Sequence, residues 1–175
     1  DGSRVPVLAK EVPTVANGGV SADGKTITYK LVEGVKWHDG TVFGCEDIQF
    51  TLKAIMTKDV GVVSTTGYSD VDSVDCSTPN TAVIKFKNFY APYLQLFNGL
   101  ELLPRTAGDP AKTKDWEYNR KPIGTGPFKV AEFKAEEYVR LVRNPDYRVK
   151  DQPYLDEVIV RIVTSSQVEM KLIKY

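Results

Sequence analysis

The sequence predicts a mixed α/β fold (mixed α+β) in which strands and helices alternate along the chain. Residues 26–31 alternate apolar and polar side chains, which is typical of a half-buried antiparallel strand. Residues 45–56 place apolar side chains at helical spacing. Residues 158–163 form an apolar run interrupted only by Arg161, which favours a strand covered on both faces.

The composition excludes several classes of partner. The chain has 175 residues, enough for one domain with a real core. Lysine plus arginine equals aspartate plus glutamate at 23 each, so no net field attracts nucleic acid or an anionic membrane. No apolar run reaches the length of about 18 residues that a membrane-spanning helix needs. We therefore expect no nucleic-acid partner and no membrane span in these residues.

The stretch at residues 35–56 predicts a short strand, a turn and a helix. The D-G pair at 39–40 favours a reversal because glycine accepts a positive φ without steric cost. Gly44 is a suitable N-cap, Glu46 and Asp47 place negative charge in the first turn, and Asp47 stands at the capping-box position. The buried stripe of the helix is predicted to consist of Cys45, Ile48, Leu52, Ile55 and Met56.

Two hairpins are predicted in the rest of the chain. Residues 73–75 and 82–87 are expected to pair around a T-P-N turn, and the second arm is strongly β-prone. Residues 128–133 and 138–143 are expected to pair around an A-E-E turn.

Two further helices are predicted, and one of them stops at the last residue. Pro92 suits a first helical turn, and the apolar residues 93–97 follow it. Residues 166–169 form a capping-box pattern, and Val168 with Leu172 begins an apolar face. Because this second helix has no exit signal before Tyr175, we expect the chain to be a fragment of a longer protein.

Four motifs occur in one order and at one spacing. They are D-G-K-T-I-T-Y-K-L with G-V-K-W-H-D-G-T at 23–41, G-C-E-D-I-Q-F-T at 44–51, P-I-G-T-G-P-F at 122–128 and R-N-P-D-Y at 143–147. The chain closely resembles the extracellular solute-binding proteins of bacterial peptide-type importers, known as solute-binding family 5. The resemblance extends over about residues 8–175, although Cys45 stands where the family usually has alanine and Gly44 where it has threonine.

The resemblance implies a domain organisation. Residues 1–175 would be a single partial domain, belonging to the N-terminal lobe (lobe I) of a type II periplasmic-binding-protein-like fold. About residues 20–121 would form a small subdomain, and about residues 122–175 would return to the main sheet of the lobe. The second lobe would be absent from this sequence.

The resemblance also implies a function without catalysis. The protein would be the substrate-binding component of an ABC importer, binding a peptide or similar small polar solute between two lobes and delivering it to permease subunits in the membrane. It would be periplasmic or extracellular, associated with the cell surface through a lipid anchor outside these residues. The alternatives are an enzyme or sensor module that reuses the fold, and an oligosaccharide in place of the peptide.

Two loops and one tryptophan are candidate ligand contacts. The S-T-T-G-Y loop at 64–68 offers hydroxyl donors and an aromatic ring, and the G-T-G loop at 124–126 lets a ligand approach the backbone. The resemblance implies that both loops lie near the cleft. A core or surface tyrosine and a tight turn before a strand are the structural alternatives. The candidate ligand-binding residues are Gly67, Tyr68, Trp116, Gly124, Thr125 and Gly126.

The remaining reactive residues indicate no catalysis and no cofactor. His38 is the only histidine, and no His/Cys cluster has metal-ligand spacing, so we expect His38 to cap or pack in its turn. Cys45 and Cys76 are either a disulfide, if the chain is exported, or two buried thiols. The glutamates at 132, 136 and 137 are expected to be solvated around a hairpin turn rather than an acid/base pair. We expect no metal, no cofactor and no catalytic residue.

Overall fold

The computed structural model describes residues 4–57, 64–97 and 102–163. The chain divides into two compact units. The first unit consists of Asp1–Val35 and Val42–Trp116, and the second consists of Lys36–Thr41 and Glu117–Tyr175. In the described residues, no helix has the length and apolar content that crossing a membrane would require.

In its described residues, the first unit contains a three-stranded antiparallel sheet with an α-helix against it. Its strands are β1 (Thr26–Lys30), β2 (Val71–Thr78) and β3 (Thr81–Phe86), in the order β1-β3-β2. Strands β2 and β3 form the predicted hairpin. Helix α1 (Cys45–Met56) packs against both of them. Ile27 and Ile84 pair across β1 and β3 and lie in the core, as the alternation of β1 predicted.

The start of α1 is as predicted, but its buried face is different. The Gly44 N–H donates to Oδ2 of Asp47 at 2.9 Å, which closes the helix start. Met56, predicted to be buried, has 46% of its surface exposed, and Leu52 is half-buried. Asp47 and Thr51 are buried instead, because the backbone N–H groups of Arg105 and Leu103 donate to their side chains, and Ala54 is buried as well. The buried residues of α1 are Cys45, Asp47, Ile48, Thr51, Ala54 and Ile55.

The helix predicted after Pro92 is only one turn long. The structure has a 3₁₀ turn at Tyr93–Gln95, and Phe97 adopts a φ of 60°. The turn already ends at Leu96, whose φ of −61° and ψ of 139° are extended, so the apolar composition of residues 93–97 was a poor guide to helix length. The polar stretch that follows contains two further 3₁₀ segments, Pro110–Asp115 and Glu117–Asn119.

The second unit contains another three-stranded antiparallel sheet. Its strands are β4 (Phe128–Lys134), β5 (Tyr138–Arg143) and β6 (Glu157–Arg161), in the order β4-β5-β6. The register of β4 against β5 shifts between Val130 and Glu132, which is a β-bulge. The predicted hairpin is confirmed, with the turn residue Glu136 at a φ of 65°.

Strand β6 differs from the prediction in length and environment. It is an antiparallel edge strand in the described part of the chain, and Val158 is its only half-buried residue there. The apolar run had predicted burial on both faces. The pairing instead places Val158 and Val160 on the face of Leu141 and Val139, so only alternate residues share a face with apolar neighbours. The helix predicted from residue 166 lies outside the described residues.

Candidate functional site

The G-T-G loop at 124–126 is held by the side chain of His38. The Gly124 N–H donates to Nδ1 of His38 at 3.0 Å, and Nε2 of His38 lies 3.1 Å from the Gly126 carbonyl. The His38 N–H also donates to the Gly124 carbonyl at 2.9 Å. Because Nδ1 accepts a hydrogen bond, the proton of the neutral ring must be on Nε2, which donates to Gly126.

Asn144 holds the same loop from the R-N-P-D-Y motif. Its Nδ2 donates to the Gly126 carbonyl at 2.9 Å, and its N–H donates to the Pro127 carbonyl at 2.8 Å. Its Oδ1 accepts from the Asp146 N–H at 3.1 Å, so both ends of the amide are engaged. Asn144 is 2% exposed, and these bonds satisfy a polar group that would be costly to bury alone.

The environment of His38 favours its neutral form. Burial lowers the pKa of His38, and the bond to the Gly126 carbonyl opposes that shift. The Lys129 ammonium, which donates to the His38 carbonyl at 3.4 Å, lowers the pKa further, and Asp39 raises it. The neutral ring is also the form that the loop geometry requires.

The bonds made by the loop leave part of its backbone available. The Gly126 carbonyl accepts from both His38 and Asn144. In the described part of the chain, the N–H groups of Thr125 and Gly126 donate to no protein acceptor. A Cβ built on Gly126 would meet nothing within 4 Å. Two adjacent backbone donors without a protein acceptor can bind an acceptor such as a carbonyl or carboxylate oxygen.

Tyr68 lies in the core of the first unit. It is 6% exposed, and its hydroxyl accepts from the Phe97 N–H at 2.7 Å. The two rings meet edge to face, with centroids 5.5 Å apart. Burial raises the pKa of Tyr68, and the bond from Phe97 partly offsets that rise. The hydroxyl therefore holds the backbone at Phe97.

Both the backbone conformation at Gly67 and the neighbouring Tyr90 ring require a glycine at this position. Its φ is +82°, in the left-handed region that glycine adopts without cost. A Cβ at this position would lie 2.6 Å from Cζ of Tyr90. Any side chain larger than hydrogen would have to displace that ring.

Trp116 also packs inside the first unit. Its ring stacks on Phe50 with centroids 6.1 Å apart, and its Nε1 donates to the Asp109 carbonyl at 2.8 Å. Gly108 lies against the indole, since a Cβ there would be 2.7 Å from its Nε1. These partners position Trp116 as a core tryptophan with a satisfied N–H.

The six candidate ligand residues therefore divide between the two units. Gly67, Tyr68 and Trp116 belong to the first, whereas the loop at 124–126 belongs to the second. Their ligand-binding role stays a prediction. The roles of His38 and Asn144 as supports of the loop were not predicted from the sequence. The available signal was that both stand inside family motifs separate from the loop.

The other reactive residues have structural partners. Cys45 and Cys76 form a disulfide with an S–S distance of 1.99 Å, which is the bonded alternative of the two left open by the sequence. Glu132 accepts from the Tyr138 hydroxyl at 2.9 Å and lies 3.7 Å from Nε of Arg140. In the part of the chain that the structure describes, no three His, Cys, Asp or Glu side chains come together as a metal site.

Solved structures of solute-binding proteins have this fold. NikZ from Campylobacter jejuni, in complex with Ni(L-His), matches 97% of this chain with a TM-score of 0.83 and 25% identity. The oligopeptide-binding protein AppA from Bacillus subtilis, in complex with a nonapeptide, matches 96% of this chain with a TM-score of 0.79 and 27% identity. This chain covers 33% of each of those chains.

Residues 4–174 match the family described as bacterial extracellular solute-binding proteins, family 5 Middle. The chain belongs to this family. A Brucella ovis protein that carries the name of an ABC transporter peptide-binding protein is 35% identical over 146 residues, covering 81% of this chain. AppA of Bacillus subtilis is 32% identical over 84% of this chain. The chain spans 27% of the length of each of these relatives.

Proposed function

We propose that this chain is part of the substrate-binding component of an ABC importer, and that the solute is a peptide. The family is one of solute-binding proteins, and a relative at 32% identity is named for oligopeptide binding. A solved structure of that relative contains a nonapeptide. These observations favour a peptide over other small polar solutes.

The main support for the proposal is that the G-T-G loop has two backbone N–H groups without a protein acceptor in the described residues. His38 and Asn144 occupy the Gly126 carbonyl, while the N–H groups of Thr125 and Gly126 point to no acceptor in the described residues. A peptide backbone presents a carbonyl at every residue, so such donors bind peptides without reading their side chains. The loop would therefore contribute affinity rather than sequence specificity.

The rest of the assembly is part of the same proposal. About residues 20–121 would form the small subdomain and about residues 122–175 would join the main sheet of one lobe, with the opposing lobe supplied by the remainder of a longer chain. The receptor would act in the periplasm or outside the cell, held at the surface by a lipid anchor, and would deliver the solute to permease subunits. Closure on the ligand would draw its free energy from contacts with both lobes.

Titration of the ¹⁵N-labelled chain with an alanine tetrapeptide tests the ligand class. We expect the amide resonances of Thr125 and Gly126 to shift, with weak affinity because only part of one lobe is present. Gly126→Ala should abolish these shifts while preserving the fold, since the new methyl group fills open space without meeting the protein. Lys150→Ala, at an exposed position of the same unit, is the matched control.

Four outcomes would overturn parts of the proposal. Shifts of the same amides by a maltose oligosaccharide but not by the peptide would replace the peptide with a sugar. Shifts confined to other residues would remove the loop from the site. Submicromolar affinity in calorimetry would contradict a ligand shared between two lobes, and turnover of the peptide would make the protein an enzyme.

A further inference from the structure

We propose that His38 is the positioning residue of the G-T-G loop, and that only its neutral form keeps the loop in the shape that presents the Thr125 and Gly126 N–H groups. Protonation of His38 would release the Gly124 side of the loop. The ligand-binding consequence rests on the proposed function above.

The geometry of both ring nitrogens supports this role. Nδ1 accepts from the Gly124 N–H at 3.0 Å, and Nε2 donates to the Gly126 carbonyl at 3.1 Å. One imidazole therefore spans the loop from its first residue to its last. A second proton on Nδ1 would place two N–H groups against each other, so the bond from Gly124 is lost when the ring becomes charged.

Asn144 makes the release local. Its Nδ2 bonds the Gly126 carbonyl at 2.9 Å and does not titrate, so that side of the loop stays attached at every pH. The backbone bond from the His38 N–H to the Gly124 carbonyl at 2.9 Å is also independent of ring charge. Acid would therefore change the orientation of the peptide units at residues 124–126 without unfolding the unit.

Burial and the charged neighbours of His38 set the pH range in which the hold on the loop is lost. Asp39 adjoins it in sequence, and its carboxylate accepts from the N–H and hydroxyl of Thr41 at 2.9 and 2.6 Å. Lys129 on β4 approaches the His38 carbonyl at 3.4 Å. Burial and Lys129 lower the pKa of His38 from its ordinary 6.5, against the bond to Gly126 and Asp39. The loop is thus held at pH values above the ordinary pKa of 6.5, and the hold is lost as the pH falls through the lowered pKa of His38.

Nuclear magnetic resonance tests the proposal directly because the chain has one histidine. At about pH 7.5 the ring nitrogens should show the Nε2–H tautomer. As the pH falls, the Gly124 amide should shift with the same midpoint as the imidazole, and that midpoint should lie below 6.5. An Nδ1–H tautomer, or a Gly124 amide that does not follow the imidazole, would overturn the proposal.

Two variants separate positioning from general stability. His38→Phe keeps a ring but loses both bonds, whereas the side-chain oxygen of His38→Asn can still accept from Gly124. With the tetrapeptide, we expect His38→Phe to weaken binding by about 3- to 10-fold. His38→Asn should recover part of this loss, and neither variant should show the acid dependence. Equal loss in both variants, with acid dependence retained, would contradict a role for the ring.

The measurements without ligand test the hold of His38 on the loop, and those with ligand test the proposed function. Coupled titration of His38 and Gly124 supports the hold on the loop whether or not a peptide binds. If the peptide then leaves the Thr125 and Gly126 amides unchanged, the proposed function is overturned while the control of loop shape by His38 stands.

Discussion

Asp47 is fully buried, and its carboxylate binds both the backbone N–H and the side chain of Arg105. Oδ1 of Asp47 accepts from the Arg105 N–H at 2.9 Å, and the guanidinium Nη1 lies 3.2 Å from both carboxylate oxygens. The same carboxylate closes the start of α1 through Gly44. One side chain therefore caps a helix and fixes a segment that lies 58 residues away in sequence.

Replacing Asp47 with alanine tests how much this arrangement stabilises the first unit. Asp47→Ala leaves the Gly44 and Arg105 N–H groups without their acceptor and removes the partner of the guanidinium. We expect the free energy of unfolding to fall by about 2–4 kcal/mol, less than for a fully buried pair because Arg105 is partly exposed. Urea unfolding followed by circular dichroism measures this change.

Glu46→Ala is the matched control for Asp47. Glu46 also approaches Arg105, with its Oε2 3.3 Å from Nε, but its side chain is 66% exposed. An exposed pair contributes less than about 1 kcal/mol, so this variant should stay close to the unmodified protein. Equal losses in the two variants would show that the buried bonds of Asp47 contribute nothing beyond surface charge.

The Cys45–Cys76 disulfide should stabilise the first unit by constraining the unfolded chain. Its two cysteines are separated by 31 residues, which corresponds to about 3–4 kcal/mol in the loop-entropy relation. Cys76→Ser, compared with the oxidised protein in urea unfolding, should lose this amount. Added reductant should change the oxidised protein and leave the variant unaffected. Two titratable thiols in the oxidised, unfolded chain would contradict the bond.

Tyr68→Phe distinguishes a structural from a ligand-binding tyrosine. The variant removes the acceptor of the Phe97 N–H but keeps the ring, so we expect a loss of about 1–2 kcal/mol in the free energy of unfolding. Tyr154→Phe, at a side chain that is 82% exposed, should change stability by less than about 0.5 kcal/mol. If Tyr68→Phe instead weakens peptide binding at unchanged stability, its hydroxyl contacts the ligand.

Gly67→Ala should be more harmful than the same change at Gly34. Both glycines have a positive φ, +82° and +73°, so each variant incurs a backbone cost of about 1–2 kcal/mol. A methyl group at Gly67 also meets the Tyr90 ring, whereas at Gly34 it meets nothing within 4 Å. We expect a further loss of about 1–3 kcal/mol at Gly67 from overpacking. Thermal unfolding of the two variants measures the difference, and equal midpoints would refute the steric argument.

Local patterns predicted most of the elements because they depend on neighbouring residues. The alternation of β1, the turn between β2 and β3, and the capping residues of α1 act within a few positions, and the structure confirms them. Residue type did not predict which helix residues are buried where a partner distant in sequence bonds to them. Thr51 is buried in α1 although it is polar, because its hydroxyl accepts from the Leu103 N–H at 2.8 Å.

In the candidate site, too, local features were predicted and contacts between distant residues were not. The G-T-G loop was found from its small residues and from the motif around it, and its role as a ligand contact stays a prediction. The support from His38 was not predicted, since 86 residues separate it from Gly124 and no periodicity connects them. A lone histidine was expected only to cap or pack in its own turn.

The sequence by itself determined the strands and helix that local patterning specifies, and its ordered motifs determined the family. Only the tertiary structure decided which polar groups are bonded and which backbone donors are left available. That outcome depends on atoms brought within about 3 Å of each other by the fold, as for His38 and Asn144 around Gly126. Local sequence patterns do not predict such a distance between residues far apart in the chain, because packing of the whole fold brings these groups together.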